Sequence, residues 1–308
     1  MYTDLKTEWK KLLDYEFQNG EKKERPIVIV GPDGKTKTKL RVYAYGGCIG
    51  RIATRKTDYN QLAKSKAYAK YLETDDQKYK LKKMQQLKYG EEKGRLLFEP
   101  EYLDLILHAA RTRFTGEQKE QEERKERCIQ TNIVKKHIDK QPSDGWCIVD
   151  MEFAISETNK KTKESLFSKP DLVVLDKDKG FGLIELKYQN KNMENIDQHD
   201  EKLSYVAGSP NVGKWVKELM RRCEYLENYG LINRELYDSC AKPESLWYGF
   251  LFVGGEKAEF VQRVKEMAEK HPKIKEDANC RFWWFSEEDL ENMNLSFDSA
   301  DTYEEFTK

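Results

Sequence analysis

The 308-residue sequence has no net charge, since 55 lysines and arginines balance 55 aspartates and glutamates. A protein that holds nucleic acid by bulk charge alone is therefore excluded. Long apolar runs are absent too. The longest, Leu246 to Val253 with Gly249 inside it, is far too short to span a bilayer, so no membrane partner is expected. The opening residues, Met1 to Trp9, are polar and charged, and no signal-peptide core is expected there. Cysteines are few and scattered: Cys48, Cys128, Cys147, Cys223, Cys240 and Cys280. None forms a C-x-x-C pair or has a histidine at zinc-finger spacing, which leaves reduced core residues and a cytoplasmic protein as the expectation. Gly34-Lys35-Thr36 is not a phosphate-binding loop, because Ile29 stands where that motif needs a glycine. No internal repeat or low-complexity linker is visible.

What the chain does have is a 38% hydrophobic share beside 36% charge, enough for a real core in one large domain or two small ones. Residues 1–115 read as an α+β accessory region. A helix from Leu5 to Phe17 ends near Asn19-Gly20, and strands at Pro26–Val30 and Leu40–Tyr45 flank a turn at Gly31–Gly34. A lysine- and tyrosine-rich helical pattern follows from Asp58 to Tyr89, with a break near Thr74–Asp76. An apolar helix then runs from Leu96 to Arg113. This region could contribute substrate binding or oligomer contacts, a homodimer among them.

Residues 116–308 read as a second domain. A charged helix over 116–140 carries the stripe Cys128, Ile129, Ile133, Val134 and Ile138. The period then changes from 3.6 to 2: Cys147, Val149, Met151, Phe153 and Ile155 point one way, and Asp150, Glu152 and Ser156 the other. A polar connection, Glu157 to Lys169, leads to strands at Asp171–Asp176 and Phe181–Tyr188. Helices between Asn195 and Asn228, a strand at Leu246–Val253, a helix at Glu256–Lys270 and a strand at Cys280–Phe285 precede an acidic tail. The order α-β-β-β-α-β-α-β implies a mixed α/β domain around one sheet.

The chemistry-bearing segment is Lys169-Pro170-Asp171-Leu172 followed by Gly182-Leu183-Ile184-Glu185-Leu186-Lys187. Residues two apart on a strand share a face, so Glu185 and Lys187 project together. A hairpin centred near Asp178 or Lys179 sets Asp171 opposite Glu185 or Lys187, on their face. Two carboxylates on adjacent strands suit a hard divalent cation, Mg²⁺ or Mn²⁺. Such an ion can polarise a phosphoryl oxygen and lower the pKa of a bound water. A neighbouring lysine can position the nucleophile or offset developing charge. The plain alternative is that Asp171 merely starts a strand and that Glu185 and Lys187 form a solvent-facing edge.

At Pro170-Asp171 and Glu185-Leu186-Lys187 the chain resembles the PD-(D/E)XK phosphodiesterase superfamily, which has a restriction-endonuclease-like mixed-sheet core with the order α-β-β-β-α-β. The resemblance spans roughly residues 117 to 255. It implies a metal-dependent nuclease, acting on DNA in preference to other substrates, in which Asp171 and Glu185 bind Mg²⁺ or Mn²⁺ and Lys187 assists the attacking water. Many members add an acidic residue from the preceding helix. Glu126 is the preferred candidate, three and seven places before Ile129 and Ile133, with Glu122 and Glu123 as competitors. Glu152, on the polar side of the first strand, is a further candidate for the metal shell. The Gln-x-x-x-Tyr motif of exonuclease-like branches is absent, because Lys202 stands four places after Gln198. Gln189 and His199 are taken as surface or hydrogen-bonded residues. The competing function is a non-catalytic nucleic-acid-binding or protein-interaction module that retains the fold.

For substrate contact the candidates are Lys214, Lys217, Arg221 and Arg222, on one helix beside the proposed site. The stretch Arg51 to Arg95 is a second, with thirteen basic against six acidic residues. Trp283-Trp284 could stack on bases, although core packing is the better expectation. The segment Ser286 to Lys308 has eight acidic residues against one lysine, a pattern suited to a tail that screens a basic surface.

Overall fold

The computed structural model describes residues 5–32, 39–53, 60–63, 65–86, 95–115, 119–140, 145–158, 165–189, 193–232, 234–239, 246–291 and 299–308. It is a mixed α/β structure with several sheets, divided into two compact units, Met1–Asp139 and Lys140–Lys308.

The first unit opens with helix α1, Leu5–Leu13, which stops short of the Phe17 expected from the sequence. Phe17 instead begins a small hairpin, β1 (Phe17–Asn19) with β2 (Lys22–Glu24), around Gly20 at φ 59°. An antiparallel meander follows: β3 (Ile27–Pro32), β4 (Lys39–Ala44), β5 (Gly47–Ala53) and β6 (Gln61–Leu62). The β3–β4 pair is the expected one. The expected helical pattern from Asp58 to Tyr89 falls partly outside the described residues, and among the described ones Gln61–Leu62 is strand. The stretch also holds α2 (Ser65–Tyr68), a 3-10 turn over Ala69–Tyr71 and α3 (Asp75–Gln86).

Helix α4, Pro100–Thr115, packs on the meander through a stripe that includes Leu103, Ile106, Leu107, Ala110 and Phe114. Helix α5, Lys119–Lys140, crosses the β4–β5 turn so closely that a Cβ on Gly46 (φ 93°) would lie 2.7 Å from the Arg127 backbone. Only glycine admits that approach, and it ties α5 to the first unit. The boundary drawn near residue 115 from sequence precedes this helix.

The second unit is built on a five-stranded mixed sheet in the order β13-β12-β11-β10-β7. Its strands are β7 (Trp146–Met151), β10 (Leu172–Asp176), β11 (Gly180–Tyr188), β12 (Leu246–Val253) and β13 (Cys280–Phe285). The first three are antiparallel neighbours, while β12 and β13 run parallel to β11. Parallel pairing needs a long crossover. Helices α6 (Ile196–Ala207), α7 (Val212–Asn228) and α8 (Arg234–Ser239) supply it between β11 and β12. Helix α9, Lys257–Lys270, does so between β12 and β13. At Gly182 a Cβ would fall 2.2 Å from the Trp247 ring, so the absent side chain lets this indole lie across β11.

Two features differ from the sequence expectation. The first strand ends at Met151, where Glu152 turns the chain at φ 52°. The supposed polar connection then forms a separate hairpin, β8 (Ile155–Thr158) with β9 (Ser165–Ser168), the latter packed against α6. The acidic end is also anchored, not loose, over residues 299–308. Asp301 bridges Phe282, Thr302 caps the short helix α10 (Tyr303–Thr307) in a capping box, and Phe306 is 1% exposed. Phe306 stacks 5.3 Å from Phe282 and 5.5 Å from Phe252, whose ring lies 4.8 Å from Phe260 of α9. Residues 292–298 lie outside the described set.

Candidate functional site

The β10–β11 register carries the site. Leu172 pairs with Ile184 and Asp176 with Gly180 around the Lys177–Lys179 turn. Continued by one residue, this register sets Asp171 opposite Glu185, the first of the two positions expected. Residues opposite each other across neighbouring strands share a face. Glu185 pairs with Phe250 and Lys187 with Phe252, so both charges stand among aromatic side chains on one face of the sheet.

Both are buried, at 4% exposure each. Lys187 Nζ donates to Glu185 Oε1 at 2.8 Å. His199 Nδ1, from α6, approaches the same oxygen at 2.8 Å. Burial alone would raise the Glu185 carboxyl. The His199 hydrogen bond and the Lys187 charge outweigh it and hold the group below the ordinary carboxylate range. Asp171 is half-buried, and its Oδ2 accepts the Leu186 N–H at 2.8 Å, so the carboxylate is fixed against the strand that carries Glu185 and Lys187.

Glu152 is drawn to the adjoining position: its N–H donates to the Asp171 carbonyl at 3.0 Å. Its carboxylate, however, pairs with Lys169 at 3.1 Å. Glu126 is half-buried on α5, in the first unit. The side chains of Glu122 and Glu123 lie outside the described residues. Among the described residues no group of three or more His, Cys, Asp or Glu side chains is arranged to hold a metal ion. Two carboxylates remain as the candidate donors. That set fits Mg²⁺, which is usually held by one or two carboxylates while keeping several waters.

On α7, Lys214, Lys217, Arg221 and Glu218 line an open depression of about 480 Å³. Arg221 is engaged there by both Glu218 oxygens, at 2.8 and 2.9 Å, and Lys214 Nζ lies 4.6 Å from the Trp215 ring centre. Arg222, expected beside them as a substrate contact, is instead 2% exposed. Its guanidinium pairs with the Asp150 carboxylate and stacks 4.6 Å from the Phe153 ring. Successive helix residues are turned by about 100°, and that step carries Arg222 onto the buried side with Leu219 and Leu226. Trp283 is buried against Trp247 at 6.0 Å, as core packing requires. In the first unit, Lys78 pairs with Asp75, and Lys80 with Asp76 and Glu101, so part of the basic stretch is locally neutralised.

Two pairings, His199 with Glu185 and Arg222 with Asp150, are not among those expected from the sequence. His199 stands three places after Ile196 and four before Leu203, on the buried stripe of α6. A histidine at core spacing was the available signal. Arg222 likewise sits three after Leu219 and four before Leu226, where a charge demands a buried counter-charge, and Asp150 supplies it.

No protein-family model, curated protein or solved structure matches this chain. Among the described residues no helix is long and apolar enough to cross a membrane.

Proposed function

We propose that this chain is a metal-dependent nuclease that hydrolyses phosphodiester bonds, with DNA as the favoured substrate and a restriction-endonuclease-like core. The observation that carries the proposal is Asp171, just before β10, bound to the Leu186 N–H between the paired Glu185 and Lys187 of antiparallel β11. The sheet order, with three antiparallel strands followed by a helical crossover to a parallel strand, supports the same core. Burying a carboxylate and an ammonium costs several kcal/mol each before pairing, a cost that functional sites commonly carry.

Asp171 and Glu185 would hold the ion. Bound there, Mg²⁺ or Mn²⁺ would polarise a phosphoryl oxygen and acidify a water. Lys187, already ion-paired to Glu185, would orient that water and offset negative charge as it develops on the phosphate. Asp171, the more exposed carboxylate, faces the incoming phosphodiester. Lys214 and Lys217 are the candidate backbone contacts.

The test is cleavage of linear, circular and single-stranded DNA and of RNA with Mg²⁺ or Mn²⁺. Asp171→Ala and Lys187→Ala should each lower the rate by about a thousandfold or more, with the folded spectrum unchanged. Wild-type rates in both variants would overturn the assignment. The non-catalytic module is the second reading, since the Glu185–Lys187–His199 contacts also satisfy a buried charge without any metal. It predicts no Mn²⁺ binding that Asp171→Asn abolishes.

A further inference from the structure

We infer that His199 is a positioning residue for the proposed metal site: it holds the Glu185 carboxylate in the orientation that receives a divalent cation. This rests on the nuclease reading above and goes beyond it, because the two-carboxylate chemistry does not require a histidine.

The geometry is specific. His199 Nδ1 and Lys187 Nζ both lie 2.8 Å from one oxygen, Glu185 Oε1. A carboxylate only accepts, so the imidazole donates its Nδ1–H. With both donors on Oε1, a cation would be taken by Oε2. The two donors also come from different elements. Lys187 follows Glu185 on β11, whereas His199 reaches in from α6, so together they fix the carboxylate plane where one donor would leave it free to rotate.

Helix α6 is itself pinned on either side of the histidine. Asp197 pairs with Lys270 of α9 at 3.1 Å, and buried Asp200 meets the Tyr248 hydroxyl of β12 at 3.4 Å. Ile196, Leu203 and Val206 bury the same face. The imidazole is thus presented to Glu185 by a docked helix. Partners that orient a ligating group in this way are worth about ten- to a hundredfold in metal affinity.

The experiment is a calorimetric titration of the full chain with Mn²⁺ alone, in wild type, H199L and H199N, with D171N as the reference for loss of the site. Asparagine offers an N–H close to the position of Nδ1, whereas leucine keeps bulk without a donor. The expected result is a Kd about tenfold or more weaker in H199L and within about threefold of wild type in H199N. In wild type, the His199 Nδ1 resonance should also move on addition of Mg²⁺, a readout that needs no mutant to fold. Equal Mn²⁺ affinity in wild type and H199L, equal weakening in H199L and H199N, or an unmoved resonance would each overturn the inference while leaving the nuclease reading standing. A wild type that binds no Mn²⁺ would overturn both.

Discussion

One face of the second unit's sheet buries charge twice, and the two clusters are organised differently. Asp150 and Arg222 lie in a closed cluster: Asp150 is 0% exposed, its Oδ1 accepts the Met151 N–H at 2.8 Å, its Oδ2 takes the guanidinium, and Arg222 Nε also stands 3.7 Å from Glu218 Oε1. Arg222 is covered by Phe153. Around Glu185 the arrangement is lopsided. Two donors crowd one carboxylate oxygen, and a second carboxylate, Asp171, stands half-exposed just before the neighbouring strand. A closed cluster answers a packing problem. The unbalanced one, with a second carboxylate half-exposed beside it, is the arrangement on which the proposed metal site rests.

That contrast can be broken most sharply through Arg222. Arg222→Met takes the paired cation from buried Asp150 and should cost about 3–5 kcal/mol. Adding Asp150→Leu to it should recover much of the loss, though not all, because the Met151 N–H then loses its acceptor. Lys187→Met should cost less, since His199 still satisfies Glu185, yet it should remove cleavage. Urea unfolding of the three variants, read against cleavage rates, separates the two clusters. Equal stability losses for Arg222→Met and Lys187→Met would erase the distinction.

A milder probe lies one residue from His199. Burial pushes the Asp200 carboxyl up to about 6, opposed by the His271 charge and the Tyr248 hydrogen bond and reinforced by Asp277 and Glu201. The folded state therefore holds this proton more tightly than the unfolded chain, whose aspartates titrate near 3.9. Where the native state binds more protons, stability falls as pH rises. The contribution of Asp200 is thus fully present below about pH 4 and is lost as pH climbs through 6. Asp200→Asn should be more stable than wild type at pH 7.5 by about 1–3 kcal/mol, with the gap closing near pH 4. A gap that is constant across that range would mean that the carboxyl is not the titrating group.

Much of the site was legible before the fold was known, because a tight turn and strand alternation determine register together. The Lys177–Lys179 turn was enough to narrow the position opposite Asp171 to Glu185 or Lys187, and the register of the pair extends to Glu185. Long-range partners were harder to see. Nothing in α6 names Glu185 as the group that His199 meets, although its place on the buried stripe marks it as facing inward. Turn residues misled where they serve two purposes. Gly20 at positive φ can stop a helix or close a hairpin, and here it closes one. The β8–β9 hairpin was invisible because its strands are four residues long and largely polar. The acidic tail hid a single aromatic anchor, Phe306, whose weight only the stacked rings reveal.

The smallest expected effect concerns substrate contact, where α7 splits its cations between the two styles. Arg222 is spent inside and Arg221 is shared with Glu218, which leaves Lys214 and Lys217 as the cations at the depression best able to meet phosphate. Each phosphate contact releases about one condensed counterion from duplex DNA, so removing one should flatten the log–log salt dependence of binding by about 0.9. The Lys214→Ala, Lys217→Ala pair should therefore reduce the slope by about 2, with the loss of affinity shrinking as salt rises. Anisotropy titrations from 50 to 200 mM salt, run on Lys187→Ala protein to prevent cleavage, read this directly. An unchanged slope would move the backbone contact off α7 and leave Lys214 as a surface cation resting on Trp215.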